Sequence, residues 1–198
     1  MAVTADQVRE LRERTGAGMM ECKKALQESL GDFEKAIETL RKSGIARAAS
    51  RAGRAASEGA VEAYIHPGNR VGVLIEVNCE TDFVARTDEF RDLVRNLAMQ
   101  VAAAGAEFVR REDVPAERVE RERAILKSQT EAQGKPAAIL DKIVTGKLEK
   151  FYSEICLLEQ PYIRDDKTTV GDLVRQASAK TGENIQVRRF ARFRLGQE

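Results

Sequence analysis

The sequence has little of the side-chain chemistry on which enzymes and metalloproteins depend. It contains a single histidine, three cysteines and no tryptophan. A zinc site needs about four His or Cys ligands, so this inventory argues against one. Cys22, Cys79 and Cys156 are far apart and form no CxxC pair. Their odd number indicates a reducing compartment and no disulfide framework.

Long apolar runs are also missing. No stretch approaches the roughly 20 apolar residues that a membrane span requires. The N-terminus is charged from its sixth residue and shows no apolar signal core. We therefore predict a cytoplasmic protein that does not bind membranes.

The motifs of common catalytic and nucleotide sites are absent. The sequence has no GxxxxGK[ST], GxGxxG, GxSxG or HExxH. Glu80 and Asp82 could form an acid/base pair, but no neighbour in the sequence would separate their pKa values. We predict a non-enzyme with no catalytic residues, no cofactor, no metal ligands and no nucleotide site of its own. Two classes remain: a protein-binding module or, less favoured, a nucleic-acid binder.

Charge argues against the nucleic-acid class. The chain has 33 basic and 32 acidic residues, a net charge of +1. Such a balance provides no wide basic field for a phosphate backbone. Arg47, Arg51 and Arg54 do share one helical face, yet no aromatic residue lies between them for base stacking. We interpret them as part of a solvated helix, with RNA binding by these and the C-terminal arginines as the alternative.

Capping and turn signals predict three short helices at the N-terminus. Thr4 and Gln7 form a capping-box pattern, and the glycines between Thr15 and Met19 break the first helix. Gly31 separates the second helix from the third, which we expect to end at Gly44 in a left-handed residue. The predicted organisation is a partner-binding domain over 1–44, a helical linker over 45–59 and a core, or dimerisation, domain over 60–198.

The core domain alternates strands with helices. Residues 60–65 and 70–78 predict a hairpin around the His66–Asn69 turn, and 184–195 predicts a third strand. Residues 165–167 are expected to form a loop. The fold class is α+β: an N-terminal three-helix bundle, then a three-stranded antiparallel sheet packed with helices. In the last strand one face is mostly apolar: Ile185, Val187, Ala191, Phe193 and Leu195.

The strand ending near Asn78 runs directly into a helix start. Thr81 is a suitable N-cap, and Asp82 lies favourably against the helix dipole. Phe83 precedes Phe90 by seven residues, so an unbroken helix would bury both on one stripe, which pattern alone favours. A second N-cap signal at Thr87 would restart the helix and free Phe83 from that stripe.

Two segments resemble the signatures of a known family. Residues 11–26, LRERTGAGMMECKKAL, and 78–85, NCETDFVA, are similar to the two signature segments of translation elongation factor Ts. The resemblance covers the whole chain. It implies a ubiquitin-associated-type N-terminal bundle, an α+β core, and guanine nucleotide exchange on elongation factor Tu.

The resemblance also implies the contact residues. The segment that dislodges Mg²⁺ from the partner falls on Thr81, Asp82, Phe83 and Val84. The positions of the N-terminal domain that touch the partner are Arg12, Met19 and Met20. This reverses the expectation from pattern alone, because Phe83 must then be exposed.

The chain has no room for the second half-core and protruding helical hairpin of longer family members. A single three-stranded sheet leaves edges that can recruit other strands. We therefore expect a homodimer through the core sheet, with Phe190 near the contact.

Overall fold

A computed structural model describes residues 3–133 and 136–197 of the chain. The described chain divides into two compact units. The first comprises the described part of Met1–Gly59 together with Asn78–Phe90 and Val174–Gln186. The second comprises Ala60–Val77, Arg91–Leu173 and Val187–Glu198, again as far as they are described.

The elements alternate as an α+β protein requires, which confirms the predicted fold class. The helices are α1 (Ala5–Thr15), α2 (Met19–Glu28), α3 (Phe33–Arg51), α4 (Asp82–Ala85), α5 (Asp88–Ala104), α6 (Ala116–Ala132), α7 (Ala137–Ile155) and α8 (Val170–Thr181). The strands are β1 (Glu58–Ile65), β2 (Val71–Cys79), β3 (Pro161–Tyr162), β4 (Asp165–Thr169) and β5 (Gln186–Arg194). Short 3₁₀ turns lie at Arg111–Asp113 and Leu157–Glu159.

The predicted N-terminal bundle is present in the first unit. Thr4 caps α1 because its hydroxyl accepts the Gln7 N–H at 3.3 Å, while the Gln7 carboxamide oxygen accepts the Thr4 N–H at 2.9 Å. Gly16 ends α1 in the left-handed region at φ 68°. One apolar core joins the three helices: Val8, Leu11, Cys22, Ala25, Leu26, Ala36 and Leu40.

The predicted end of the third helix at Gly44 is wrong. α3 continues through Gly44 to Arg51. Gly44 is buried, and a Cβ added there would lie 3.2 Å from the Ala179 Cβ of α8. This glycine therefore permits the close approach of two helices and does not end one. The proposed domain boundary at residue 45 falls inside a helix, but the division into domains stays a prediction.

The predicted three-stranded antiparallel sheet is confirmed, with strand order β1-β2-β5. Val73, Ile75 and Val77 of β2 are buried, as the alternation predicted. One face of α5 is buried over Leu93 to Ala102. Both β1 and β5 are edge strands of this sheet.

The apolar face of β5 is turned outward over its second half. Ala191, Phe193 and Leu195 are exposed, whereas Phe190 and Arg192 are half-buried. The Arg192 Nη2 donates to the Ala102 carbonyl at 3.4 Å, near the C-terminus of α5. The inward arginine thus satisfies a carbonyl at the negative end of a helix.

A small hairpin, β3 with β4, replaces the loop predicted at residues 165–167. Asp165 accepts the Lys167 N–H at 3.2 Å and the Thr168 hydroxyl at 2.6 Å, which turns the chain tightly enough for pairing. The buried Gln100 side chain donates to the Pro161 carbonyl and accepts the Ile163 N–H, which holds the hairpin. These contacts lie far apart in sequence, so local signals could not predict the strands.

Among the described residues, no helix is both long enough and apolar enough to cross a lipid bilayer.

Candidate partner-binding site

The segment after β2 forms one helical turn and then stops. Thr81 has extended backbone angles, and its hydroxyl accepts the Val84 N–H at 3.4 Å, so it is the N-cap of α4. Thr87 then caps α5 by accepting the Phe90 N–H at 3.2 Å. The helix therefore restarts at Thr87, the alternative that the second N-cap signal had left open. The cause is local, because each threonine satisfies an N–H that the next turn leaves unpaired.

The restart separates Phe83 from the apolar stripe of α5. Phe83 is 78% exposed, whereas Phe90 is 1% exposed. The pattern-based prediction of a buried Phe83 is thus wrong, and the ring is free to contact a partner. Thr81, Asp82 and Val84 are half-buried. Phe83 is the member of this group that projects furthest into solvent.

Asp82 has a partner within its own turn. The Arg86 Nη2 lies 2.8 Å from the Asp82 Oδ2, an i,i+4 pair on α4. Exposed pairs of this kind contribute only about 0.3–0.5 kcal/mol. The carboxylate can therefore exchange Arg86 for another donor at little cost.

Two carboxylates join the start of this segment to the turn before β5. Glu183 Oε2 accepts the backbone N–H groups of Glu80 and Thr81 at 3.0 and 3.1 Å. Glu183 Oε1 accepts the Thr81 hydroxyl at 2.6 Å. In return, Glu80 Oε1 accepts the Asn184 N–H at 2.6 Å. Sequence analysis did not identify Glu183 or Asn184, which lie more than a hundred residues downstream of Thr81.

Cys79 lies at the base of the segment and is fully buried. Its thiol donates to the Thr81 carbonyl at 3.2 Å. Burial, together with the negative charge of Glu183, raises the pKa of Cys79 to about 11. A thiol with this pKa is protonated near neutral pH and is a poor nucleophile. Cys79 therefore supports the backbone of the segment.

The N-terminal residues singled out by the resemblance are also exposed. Arg12 lies in the last turn of α1, and Met19 and Met20 form the first turn of α2. Met20 is 75% exposed, and Met19 is also open to solvent. Flexible, polarizable methionines suit an adaptable contact surface.

Leu30 is an exposed residue of the same bundle that sequence analysis missed. It lies in the turn between α2 and α3, is 81% exposed and has φ 54°. A leucine in the left-handed region is uncommon. No local signal marked it, because the neighbouring Gly31 already accounts for the turn.

Two of the arginines proposed as an alternative RNA-binding site already contact other residues of the first unit. Arg51 Nη1 lies 3.5 Å from the Ser178 carbonyl, and Arg54 Nη1 lies 3.5 Å from Glu80 Oε1. The side chain of Arg47 lies outside the described residues. Within the described ranges, no cluster of three or more His, Cys, Asp or Glu residues could hold a metal ion.

An exposed ring on a short, capped helical turn, together with exposed methionines at the start of another helix, is typical of a protein-binding module. The family model described as "Elongation factor TS" matches residues 5–197. The chain belongs to the elongation factor TS family, as the signature segments predicted.

Individual relatives agree with the family match over nearly the whole chain. Elongation factor Ts of Carboxydothermus hydrogenoformans is 61% identical over 195 residues, which cover 98% of this chain and 90% of that protein. Elongation factor Ts of Moorella thermoacetica is 62% identical over 195 residues, or 98% and 96% of the two chains. Elongation factor Ts of Anaeromyxobacter dehalogenans strain 2CP-1 is 61% identical, with 98% and 89% covered.

Proposed function

We propose that this protein is a cytoplasmic guanine nucleotide exchange factor for elongation factor Tu. It binds the complex of that GTPase with GDP, disrupts its Mg²⁺ and phosphate site, and promotes GDP release so that GTP can bind. Membership in the elongation factor TS family supports the partner. The exposure of Phe83 on a capped helical turn is the observation that carries the mechanism.

The proposed exchange is a shift between two states of the partner. GDP stabilises the state in which Mg²⁺ and the phosphate-binding loop are in place. A protein that contacts the nucleotide-free state more favourably shifts the population toward that state. The coupling is reciprocal, so GDP weakens the binding of this protein by the same factor by which this protein weakens GDP binding.

Each proposed contact residue has a role that its environment permits. Phe83 packs between partner side chains near the metal, because its ring has few contacts to lose within its own chain. Asp82 exchanges Arg86 for donors of the partner. Thr81 and Val84 hold the turn in shape through the cap. Arg12, Met19 and Met20 bind a second surface of the same partner.

The direct test is release of fluorescent GDP from elongation factor Tu with and without this protein. Wild type should accelerate release, and Phe83→Ala should lower the acceleration at least tenfold, as truncation of an interface hot spot does at about 2 kcal/mol or more. Its free energy of unfolding should change by less than about 0.5 kcal/mol, since the ring is exposed. Ile125→Ala, at another exposed apolar residue, is the control and should behave like wild type. Wild-type exchange by Phe83→Ala would contradict the mechanism.

RNA binding is the alternative function. A filter-binding titration with RNA over a range of salt concentrations distinguishes it from nucleotide exchange. Retention of RNA that falls steeply with salt would support it. We expect no specific retention.

We also propose that the protein forms a homodimer through the three-stranded sheet. Ile65 Cδ1 lies 3.0 Å from the position of a Cβ on Gly72, and Arg189 pairs with Glu76 at 2.7 Å. Because side chains alternate along strands, these contacts place one set of exposed apolar residues on the same outer face: Val61, Ile65, Leu74 and Phe193. Phe193 is 72% exposed and Phe190 is half-buried, so Phe193 is the stronger contact candidate.

Sedimentation at micromolar concentration tests the dimer. We expect wild type to sediment as a dimer and Phe193→Asp as a monomer, because the new charge would be buried in the contact. Ile125→Asp, on α6, serves as the control and should remain dimeric. A monomeric wild type would contradict this part of the proposal.

A further inference from the structure

The Glu183 carboxylate accepts three hydrogen bonds from the segment that carries Phe83. One oxygen accepts two consecutive backbone N–H groups, and the other accepts the Thr81 hydroxyl. These three bonds are charge-assisted, which makes them stronger than bonds between neutral groups. Glu183 is half-buried, so competition from water is reduced.

The Thr81 hydroxyl connects Glu183 to the helical turn itself. A hydroxyl has one hydrogen and two acceptor lone pairs. Its hydrogen is directed to Glu183 Oε1, so a lone pair is left for the Val84 N–H. Glu183 therefore fixes the orientation in which Thr81 can cap α4.

α4 cannot hold its shape without such support. It has four residues, Asp82–Ala85, and isolated helical turns of this length are unstable in water. No residue of α4 is buried, so packing supplies little. Hydrogen bonds therefore hold α4, and those at its N-terminal end orient the turn from which Phe83 projects.

The turn that contains Glu183 is itself stabilised by contacts of the neighbouring residues Asn184 and Lys180. The Asn184 side chain donates to the Arg54 carbonyl at 2.8 Å, and its backbone N–H is bound by Glu80. In the preceding helix, Lys180 pairs with Glu89 at 2.6 Å. Glu183 thus projects from a braced turn and can act as a fixed anchor.

We propose that Glu183 is a positioning residue for nucleotide exchange: it holds α4 in the conformation that presents Phe83 to the partner. This inference rests on the proposed exchange function. Preorganisation saves the entropy that a mobile turn would lose on binding. Glu183 touches neither the partner nor the nucleotide and acts through Thr81 and Phe83.

A double-mutant cycle tests whether Glu183 acts through Phe83. Four proteins are compared in GDP release: wild type, Glu183→Ala, Phe83→Ala and the double variant. We expect Glu183→Ala to slow stimulated release about tenfold, the effect of losing about 1.4 kcal/mol of transition-state stabilisation. In the Phe83→Ala background, we expect Glu183→Ala to cause no further loss.

Fluorescence anisotropy reports the mobility of the side chain at position 83 independently of nucleotide exchange. Because the chain contains no tryptophan, Phe83→Trp introduces a single reporter at the site. Adding Glu183→Ala should introduce a nanosecond component of motion and lower the steady-state anisotropy. Glu38→Ala is the matched control, because Glu38 pairs with Lys42 at 2.7 Å on α3 and should leave the anisotropy unchanged.

A conservative variant distinguishes the loss of the positioning role from a loss of folding. Glu183→Gln retains the volume and one acceptor oxygen but removes the charge, and we expect a loss in the same direction with an unchanged melting temperature within a few degrees. If Glu183→Ala fails to fold, Glu183→Gln replaces it throughout the cycle.

The outcomes separate this inference from the proposed function. Loss of exchange in Phe83→Ala, with wild-type rate and anisotropy in the Glu183 variants, would overturn the positioning role alone. An equal loss from Glu183→Ala in both backgrounds would also overturn it, because the effect would then be independent of Phe83. Wild-type exchange by Phe83→Ala would overturn the proposed mechanism, while the anisotropy would still decide whether Glu183 holds the turn.

Discussion

The side chain of Lys180 lies directly over Gly16. A Cβ added to Gly16 would be 2.6 Å from the Lys180 Cε, and the ammonium of the same lysine is 2.6 Å from Glu89 Oε1. One side chain therefore joins the loop before Met19 to the start of α5, a few residues after Phe83. Both groups of proposed contact residues belong to the first unit, and Lys180 lies between the segments that carry them.

We expect Gly16→Ala to lower the free energy of unfolding by about 1 kcal/mol. Gly16 has φ 68°, a conformation that costs a residue with a Cβ roughly 1–2 kcal/mol, partly offset by the lower entropy of unfolded alanine. The new methyl must also displace the flexible end of Lys180. Urea unfolding measures the change. Gly53→Ala is the control, since nothing lies within 4 Å of that Cβ, and a loss there equal to that of Gly16→Ala would contradict the argument.

Gly146→Ala should raise the free energy of unfolding, in contrast to Gly16→Ala. Gly146 is exposed in the interior of α7, and a Cβ there would meet nothing within 4 Å. Alanine is favoured over glycine in a helix by about 0.8–1.0 kcal/mol. We expect a stabilisation of that order in the same urea experiment. Destabilisation by this variant would mean that α7 requires the freedom of glycine at this point.

Leu30→Gly should stabilise the bundle by about 0.5–1 kcal/mol. Leu30 is held at φ 54° and buries almost none of its side chain, so glycine relieves strain and loses little packing. Leu30→Ala is the control, because alanine retains the Cβ and with it the strain. Thermal unfolding of the two variants should therefore differ. Equal melting temperatures would show that the Cβ is not the source of the strain.

Acid should weaken the protein partly through Glu107. The Arg118 guanidinium donates to both oxygens of this carboxylate, at 2.6 and 2.9 Å, and holds the pKa of Glu107 below its ordinary value of 4.5. A carboxyl with a lowered folded-state pKa contributes stability above the ordinary value, which is lost as pH falls through the lowered one.

Arg118→Gln should therefore remove part of the decline in stability below about pH 4.5. The free energy of unfolding, measured between pH 3 and pH 7 in both proteins, gives the comparison. Arg123→Gln, at the looser 3.7 Å pair with Glu120, is the control. If the free energy of unfolding of Arg118→Gln fell with pH as steeply as that of wild type, this ion pair would make no contribution to the acid sensitivity.

Elements whose signals are local were predicted well. The Thr4 capping box, the end of α1 at the glycines after Thr15 and the second N-cap at Thr87 each depend on atoms within a few residues of one another. Period-two alternation likewise placed the buried face of β2. The signature segments located the family and the candidate contact residues, and the family is confirmed.

Predictions failed where a distant contact overrides a local preference. Gly44 looked like a helix end, but it lies inside α3 because Ala179 approaches it closely. In the second half of β5, Ala191, Phe193 and Leu195 face outward while Arg192 reaches a carbonyl at the end of α5, an arrangement that the apolar pattern did not predict. The β3-β4 hairpin is held by Gln100, some sixty residues earlier in the chain.

The order of residues alone determined the caps, the alternation of β2 and the segment that carries Thr81, Asp82, Phe83 and Val84. The tertiary structure decided that Phe83 stands in solvent on a turn anchored by Glu183. Capping depends on N–H groups within one turn of the capping side chain, so it can be read along the chain. The anchor depends on a carboxylate about a hundred residues away, and only folding brings it within hydrogen-bonding distance.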